Sequence, residues 1–103
     1  MRILFDQGTP LPLQKALAHH QIETAFRKGW AELKNGDLIS AAEIEFDALI
    51  TSDKNLKYQQ RVTGRKLAIL VLPTNVWPIL RAREKEIAEA VDRLKPGDYV
   101  EIT

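Results

Sequence analysis

Short apolar runs along the chain alternate with amphipathic stretches that have helical spacing. The runs are too short for periodicity alone to separate strand from helix, so the flanking turn residues decide. The run at 67–72 is the longest and uniformly apolar, which is typical of a central strand covered on both faces. We predict strands at 3–5, 22–26, 48–51, 67–72 and 99–102.

Three amphipathic stretches between these strands predict helices, at 9–20, 35–44 and 74–94. Thr9 and the Asn35-Gly36-Asp37 turn are the expected N-caps, because such side chains satisfy the free amides of a helix start. The resulting order, β-α-β-α-β-β-α-β, predicts an α/β domain of three layers. Its mainly parallel sheet should have about five strands, with helices on both faces.

Length and composition limit the classes of protein. The 103 residues are 45% hydrophobic, which supports a single domain over residues 1–103 with a buried core. Because cysteine is absent, a disulfide scaffold, a zinc–thiolate site and a thiol nucleophile are excluded. Fifteen Lys and Arg against fourteen Asp and Glu leave a formal charge of +1, so only a local patch could attract a polyanion.

Apolar stretches also bear on where the protein is found. No apolar run approaches the roughly 20 residues that cross a bilayer. The stretch after Met1 is too short for a secretory signal. We therefore expect a cytoplasmic protein that does not associate with a membrane.

Two aspartates follow predicted strands, and a third opens a predicted helix. Asp6 comes directly after the first strand, Asp53 follows the third, and Asp37 opens the helix after the second. Ligands of open α/β sheets bind outside the carboxyl ends of the strands, where all three side chains are expected. Because close carboxylates repel, their convergence requires a hard divalent cation, Mg²⁺ or Mn²⁺. Such an ion would support phosphodiester hydrolysis by water.

Polar residues near these acids are candidates for supporting roles. Thr51 and Asn55 flank Asp53 and could orient it or a metal-bound water, or could only satisfy the turn. Asn75 follows the longest strand at the same edge, with helix capping as its alternative. Taken one at a time, the aspartates also suit ordinary turns and, for Asp37, a helix cap.

A cluster of cations follows Asp53 directly. Beside a metal site it could guide a phosphate backbone, while the tyrosine within it stacks on a base. A solvated surface loop is equally compatible with this composition. The candidate RNA-binding residues are Lys54, Lys57, Tyr58, Arg61, Arg65 and Lys66.

Two adjacent histidines, His19 and His20, end the first predicted helix. The negative end of a helix dipole favours a cationic imidazole at that position. Neighbouring side chains of a helix point in different directions, so these histidines are not expected to form a metal-binding pair.

Three ordered segments resemble the PIN-like domain superfamily, particularly its compact bacterial branch. The last segment is similar to the family's strand followed by a Thr-x-Asp element, and the first to its opening strand and aspartate. The resemblance covers residues 1 to about 80. The segments are Arg2-Ile3-Leu4-Phe5-Asp6-Gln7-Gly8-Thr9-Pro10, then Gly29-Trp30 with Leu33-Lys34-Asn35-Gly36-Asp37-Leu38, and Phe46-Asp47-Ala48-Leu49-Ile50-Thr51-Ser52-Asp53-Lys54-Asn55-Leu56.

This resemblance implies a Mg²⁺- or Mn²⁺-dependent ribonuclease that cuts single-stranded RNA. In many relatives it is the toxin of a toxin–antitoxin pair, often dimeric and silenced by a small antitoxin protein. Asp6 and Asp53 would belong to the acidic site, and Asp37 would replace the family's mid-chain acid. The chain shows no distinct fourth acid after Asp53, and Glu43 is a candidate to replace or supplement Asp37.

Two other functions are compatible with the same residues. The first is a PIN-like module with weak or no catalysis that binds a partner protein or RNA without cutting it. The second is a phospho-acceptor receiver domain, which the sequence disfavours. Gln7 follows Asp6 where an acidic pair is needed, and no lysine follows the strand at 67–72.

Overall fold

The computed structural model describes residues 1–59, 62 and 64–103. In this part of the chain, parallel pairings join five strands into one sheet with the order β2-β1-β3-β4-β5. The predicted α/β class, with a parallel sheet of about five strands, is therefore confirmed. The strands are β1 Arg2–Phe5, β2 Gln21–Thr24, β3 Ala48–Thr51, β4 Ala68–Val71 and β5 Tyr99–Glu101.

Both faces of the sheet are apolar, because side chains alternate along each strand. In β1, Ile3 and Phe5 join the buried cluster on one face, whereas Leu4 joins the cluster on the other. Leu49 in β3 and Ile69 in β4 lie on the same face as Leu4. This burial on both sides explains the continuous apolar runs in the sequence.

Helices cover the two faces. The 3₁₀ helix, α3 and α4 contribute buried side chains to the cluster of Ile3, and α1 and α2 to the cluster of Leu4. None of the described helices has the length and apolar character needed to cross a lipid bilayer. The 3₁₀ helix spans Leu11–Leu17, and the α-helices are α1 Asn35–Glu45, α2 Leu56–Gln59, α3 Trp77–Arg81 and α4 Glu84–Asp92.

The first helix is shorter and tighter than predicted. Leu11–Leu17 is a 3₁₀ helix, and Pro10 occupies its N-cap position. Thr9 was wrongly predicted as the cap, because its buried hydroxyl donates to the backbone oxygen of Ile50 at 2.9 Å. That hydrogen bond ties the loop after β1 to strand β3.

The predicted helix at 74–94 is two helices, separated near Arg83. The backbone of Arg83 is not helical, with φ −119° and ψ 19°. Its guanidinium donates to both carboxylate oxygens of Glu86 and to the backbone oxygen of Thr103, each at 2.8 Å. The apolar stripe continues across this break, since Leu80 before it and Ile87 after it are fully buried in the same cluster.

The predicted N-cap of α1 is also displaced. The helix begins at Asn35, and Lys34 occupies the cap position without a side-chain hydrogen bond. Asn35 and Asp37 therefore lie inside the first turn. This shift leaves the Asn35 amide available for a contact outside the helix.

Candidate functional site at the carboxyl edge of the sheet

The strand order creates a topological switch point between β1 and β3. The chain leaves β1 for β2 on one side, whereas β3 and the later strands lie on the other. In open parallel sheets a ligand crevice forms outside the carboxyl ends of the strands at such a point. Asp6 directly follows β1, and Asp53 lies two positions beyond β3. The structure thus places both aspartates at this edge.

The hydroxyl of Thr51 connects the two aspartate segments. Thr51 Oγ1 donates to Asp6 Oδ2 at 2.8 Å and accepts from the backbone N–H of Asp53 at 3.1 Å. Thr51 is only 1% exposed, so water competes poorly for these bonds. The hydroxyl therefore fixes the Asp6 carboxylate relative to the loop that carries Asp53.

Two further donors hold the Asp53 carboxylate. Oδ1 accepts from the backbone N–H of Asn55 at 2.9 Å, and Oδ2 accepts from the side-chain amide of Asn35 at 2.9 Å. Asn55 thus orients Asp53 through its backbone, and its own side chain is exposed. The Asn35 contact joins α1 to the loop after β3.

Sequence reasoning did not assign Asn35 to the site. The sequence signal for Asn35 was the Asn35-Gly36-Asp37 turn, but we expected this turn to contribute Asp37 to the site. The displaced start of α1 reverses that expectation, because it puts the amide rather than the carboxylate against Asp53.

Asp6 is held as firmly as Asp53. Its Oδ1 accepts from the backbone N–H of Gln7 at 2.7 Å, and its own N–H donates to Ile50 at 2.9 Å. All four carboxylate oxygens of Asp6 and Asp53 thus accept a hydrogen bond. Each oxygen has a second lone pair for another ligand.

Asp37 does not complete a cluster of three acids. It is exposed in the first turn of α1, where a negative charge favours the positive end of the helix dipole. The ligand oxygens of Asp6, Asp37 and Asp53, all in the described part of the chain, do not all lie within 4.8 Å of one another. Mg²⁺ commonly uses only one or two protein carboxylates and keeps several waters. Asp6 and Asp53, whose segments share the Thr51 hydroxyl, are the candidates for this mode of binding.

Glu43, Arg65 and Lys66 lie at the opposite, amino edge of the sheet. Glu43 Oε2 accepts from the backbone N–H of Lys66 at 3.0 Å, and Glu43 Oε1 lies 3.5 Å from Arg65 Nη1. Both cationic residues precede β4, and Glu43 and Lys66 line a recess of about 730 Å³ there. The suggestion that Glu43 replaces or supplements Asp37 is therefore wrong, and Arg65 and Lys66 are separated from Lys54, Lys57 and Tyr58.

Asn75 follows β4 at the predicted edge and is exposed. It does not cap α3, because Val76 occupies that position. The N–H of Val76 instead donates to Thr74 Oγ1 at 3.2 Å. Among the contacts of the described residues, none joins Asn75 to Asp6 or Asp53.

A second polar group surrounds Glu101 at the end of β5. Glu101 Oε1 accepts from the Tyr99 hydroxyl at 2.8 Å and lies 2.9 Å from Lys57 Nζ. The hydrogen bond from Lys57, followed by that from Tyr99, lowers the pKa of Glu101. The same bond to Glu101 raises the pKa of Lys57, and burial raises the pKa of Tyr99. Glu101 thus already neutralises the Lys57 charge.

The remaining predicted RNA-binding residues are Lys54, Tyr58 and Arg61. Lys54 and Tyr58 are exposed near the Glu101 group, and the Tyr58 ring centroid lies 5.1 Å from Lys57 Nζ. Arg61 lies outside the described residues. The predicted cationic cluster is therefore divided between two sheet edges, with Lys54 and Lys57 on the side of Asp53.

A recess of about 230 Å³ adjoins Asp6. Leu11, Phe26 and Arg27 contribute to its walls, and Phe26 is 74% exposed. We predicted a strand through residue 26, but β2 ends at Thr24, so the ring lies beyond the sheet. An exposed aromatic ring next to a guanidinium suits an unstacked base and its phosphate.

Comparison with protein-family models, curated proteins and solved structures finds no match. The fold and the edge define a parallel α/β protein with two carboxylates at its switch point. The resemblance to the PIN-like superfamily stays a prediction.

Proposed function

We propose that the protein is a Mg²⁺- or Mn²⁺-dependent ribonuclease that cuts single-stranded RNA. One observation carries the proposal: Asp6 and Asp53 flank the switch point and are tied to the same buried Thr51 hydroxyl. These two carboxylates would hold the ion. When bound, it would stabilise charge on the scissile phosphate and lower the pKa of a water ligand.

The protein's own side chains would prepare the site before substrate arrives. The hydrogen bonds from Thr51 to Asp6 and from Asn35 to Asp53 restrict the two carboxylates to fixed orientations. Such outer partners reduce the reorganisation needed on binding. Phe26 and Arg27 beside Asp6 would stack on a base and contact a phosphate of the strand.

The biological role that we propose follows the resemblance alone. The protein would act in the cytoplasm as the toxin of a toxin–antitoxin pair. It would form a homodimer and be silenced by a small antitoxin protein.

Cleavage of a labelled single-stranded RNA with Mn²⁺, with Mg²⁺ or with EDTA tests this function. We expect cleavage only with metal and a fall of about a hundredfold or more in Asp6→Asn and Asp53→Asn, the size typical for losing an electrostatic group. Asp37→Asn is the matched control and should stay within about threefold of the wild type, less than 1 kcal/mol in barrier height. Cleavage in EDTA, or full activity in both Asp6→Asn and Asp53→Asn, contradicts the proposal.

A second candidate is a module that binds RNA or a protein without cutting. It is favoured because the described residues form no group of three acids around Asp6 and Asp53, and because each oxygen of these two carboxylates already accepts a hydrogen bond. Calorimetry with Mn²⁺ and RNA binding in EDTA separate the two. Absent metal uptake with intact RNA binding supports the module, and repeated turnover excludes it.

A further inference from the structure

Two imidazoles and one carboxylate meet on the far side of the molecule from Asp6 and Asp53. His19 Nε2 and His20 Nε2 each lie 2.8 Å from the same oxygen, Asp92 Oδ1. The two ring centroids are 4.1 Å apart, and the ring planes are tilted by 42°. These three atoms all lie within 4.8 Å of one another.

Local backbone geometry brings the two histidines together. The 3₁₀ helix ends at Leu17, and the N–H of His20 donates to the Leu17 carbonyl at 2.9 Å. The chain then enters β2 at Gln21. His19 and His20 therefore lie in a turn, not on an α-helix, so the divergence that we predicted for neighbouring helical side chains does not apply. Both rings reach the last residue of α4.

Packing in the core holds Asp92 against His19 and His20. Leu17 of the 3₁₀ helix and Ile87 and Val91 of α4 are fully buried in the same apolar cluster. Asp92 directly follows Val91, and His20 precedes β2, so the group lies at the amino edge of the sheet. The positions of the three side chains are thus set by packing and not by their mutual attraction alone.

We propose that His19, His20 and Asp92 form a binding site for a divalent transition-metal ion, with Zn²⁺ as its best match. Two imidazole nitrogens and one carboxylate oxygen are ligands that zinc binds at about 2.0–2.2 Å. Tetrahedral coordination at that distance separates ligand atoms by about 3.3 Å, so the present 2.8 Å contacts need to open by only about half an ångström. A water completes the coordination.

The surroundings allow an ion to enter while keeping the ligands in place. The His20 side chain is 9% exposed, whereas those of His19 and Asp92 are 60% and 47% exposed. His20 Nδ1 lies 3.1 Å from the Met1 amino group, and because Nε2 can bind an ion only when the ring proton is on Nδ1, this contact has to rearrange when the ion binds. Imidazole ligands favour zinc, copper and nickel over Mg²⁺, so this site differs in metal preference from the carboxyl edge.

Titration of the chelator-treated protein with Zn²⁺ in a calorimeter tests the site. We expect one equivalent to bind, and His19→Ala and Asp92→Asn each to weaken binding at least tenfold, the lower end for disturbing a metal site. Glu89→Gln changes an exposed acid of the same helix and is the matched control, which should bind as the wild type does. Asp6→Asn with Asp53→Asn should also bind zinc normally, which separates this site from the proposed ribonuclease site.

The imidazole signals in a ¹H–¹⁵N spectrum provide a second measurement. The chain has two histidines and no cysteine, so a zinc-dependent shift of the Nε2 signals identifies these ligands directly. Far-ultraviolet circular dichroism verifies that each variant is folded. Lack of zinc uptake, unchanged affinity in folded His19→Ala and Asp92→Asn, or unmoved imidazole signals overturns the proposal.

Discussion

The hydroxyl of Thr51 arranges the candidate site at the scale of a single atom. It is a donor to Asp6 and an acceptor for the Asp53 amide. A side chain of the same shape without this oxygen would leave the Asp53 amide without that partner. The effect of this loss can be measured as a change in the free energy of unfolding.

Thr51→Val keeps the shape and removes both hydrogen bonds. We expect the free energy of unfolding to fall by about 1–3 kcal/mol, because buried polar groups lose their partners. Thr51→Ser is the control, since it keeps the hydroxyl and loses only a buried methyl group, about 0.8 kcal/mol. Urea unfolding curves give both values. A valine variant as stable as the serine variant would show that the hydroxyl does not hold these segments.

Asp6 and Asp53 could be placed from sequence, because each follows an apolar strand and parallel strands share their carboxyl edge. Asn35 could not, because its contact with Asp53 depends on where α1 begins. Turn residues that suit a cap also suit the first turn of a helix. Local sequence does not distinguish those two registers.

At the scale of an element, α1 has one face that is buried against the sheet and another that is exposed to solvent. Ile39 is fully buried against the sheet, whereas Ile44 in the same helix is 89% exposed. The two residues have the same side chain and the same intrinsic helix propensity. A difference in the free energy of unfolding between their alanine variants therefore reports the difference in burial.

Ile39→Ala should lower the free energy of unfolding by about 2–5 kcal/mol, because it leaves a cavity beneath α1. Ile44→Ala should change it by no more than about 0.5 kcal/mol, as is usual for exposed positions. Chemical denaturation of both variants measures the difference. Equal losses in the two variants would mean that α1 does not sit on the sheet as described.

Element boundaries were harder to predict than element types, although α2, between β3 and β4, was not predicted at all. The apolar stripe of 74–94 is continuous, so periodicity could not reveal the break at Arg83. That break accompanies a hydrogen bond to Thr103, a distant residue of the chain. The 3₁₀ geometry of Leu11–Leu17 was missed for a similar reason, since Thr9 bonds to β3 instead of capping the helix.

At the scale of the whole molecule, apolar runs were sufficient to predict the fold class. A strand buried on both faces has no polar alternation, and helices between such strands make the sheet parallel. The order of β1, β3 and β4 was not predictable, because these strands are buried on both faces and any of them can neighbour another. The switch point at β1 and β3 therefore became visible only in the structure.

The stability of the whole chain should depend on pH in the acidic range. Hydrogen bonds from Arg83 lower the pKa of Glu86, and those from Lys57 and Tyr99 lower the pKa of Glu101. A carboxyl group with a lowered folded-state pKa stabilises the protein above its unfolded pKa, near 4.5 for Glu. That contribution is lost as the pH falls through the lowered value.

We therefore expect the free energy of unfolding to decrease from about pH 5 towards about pH 2, and less steeply in a variant with Glu86→Gln and Glu101→Gln. A variant with Glu32→Gln and Glu89→Gln, both at exposed positions, is the control and should follow the wild type. Urea titrations over this range measure the slopes. If the free energy of unfolding changed equally steeply with pH in both double variants, the pH dependence could not be assigned to Glu86 and Glu101.

The interior position of β1 determines when both of its edges are paired during synthesis. β1 is the first strand along the chain, and it pairs with β2 on one side and with β3, through Ile3 and Ala48, on the other. A nascent chain that stops before β3 thus exposes an unpaired edge of an apolar strand. Unpaired apolar edges promote aggregation, so β3 has to be synthesised before both edges of β1 are paired.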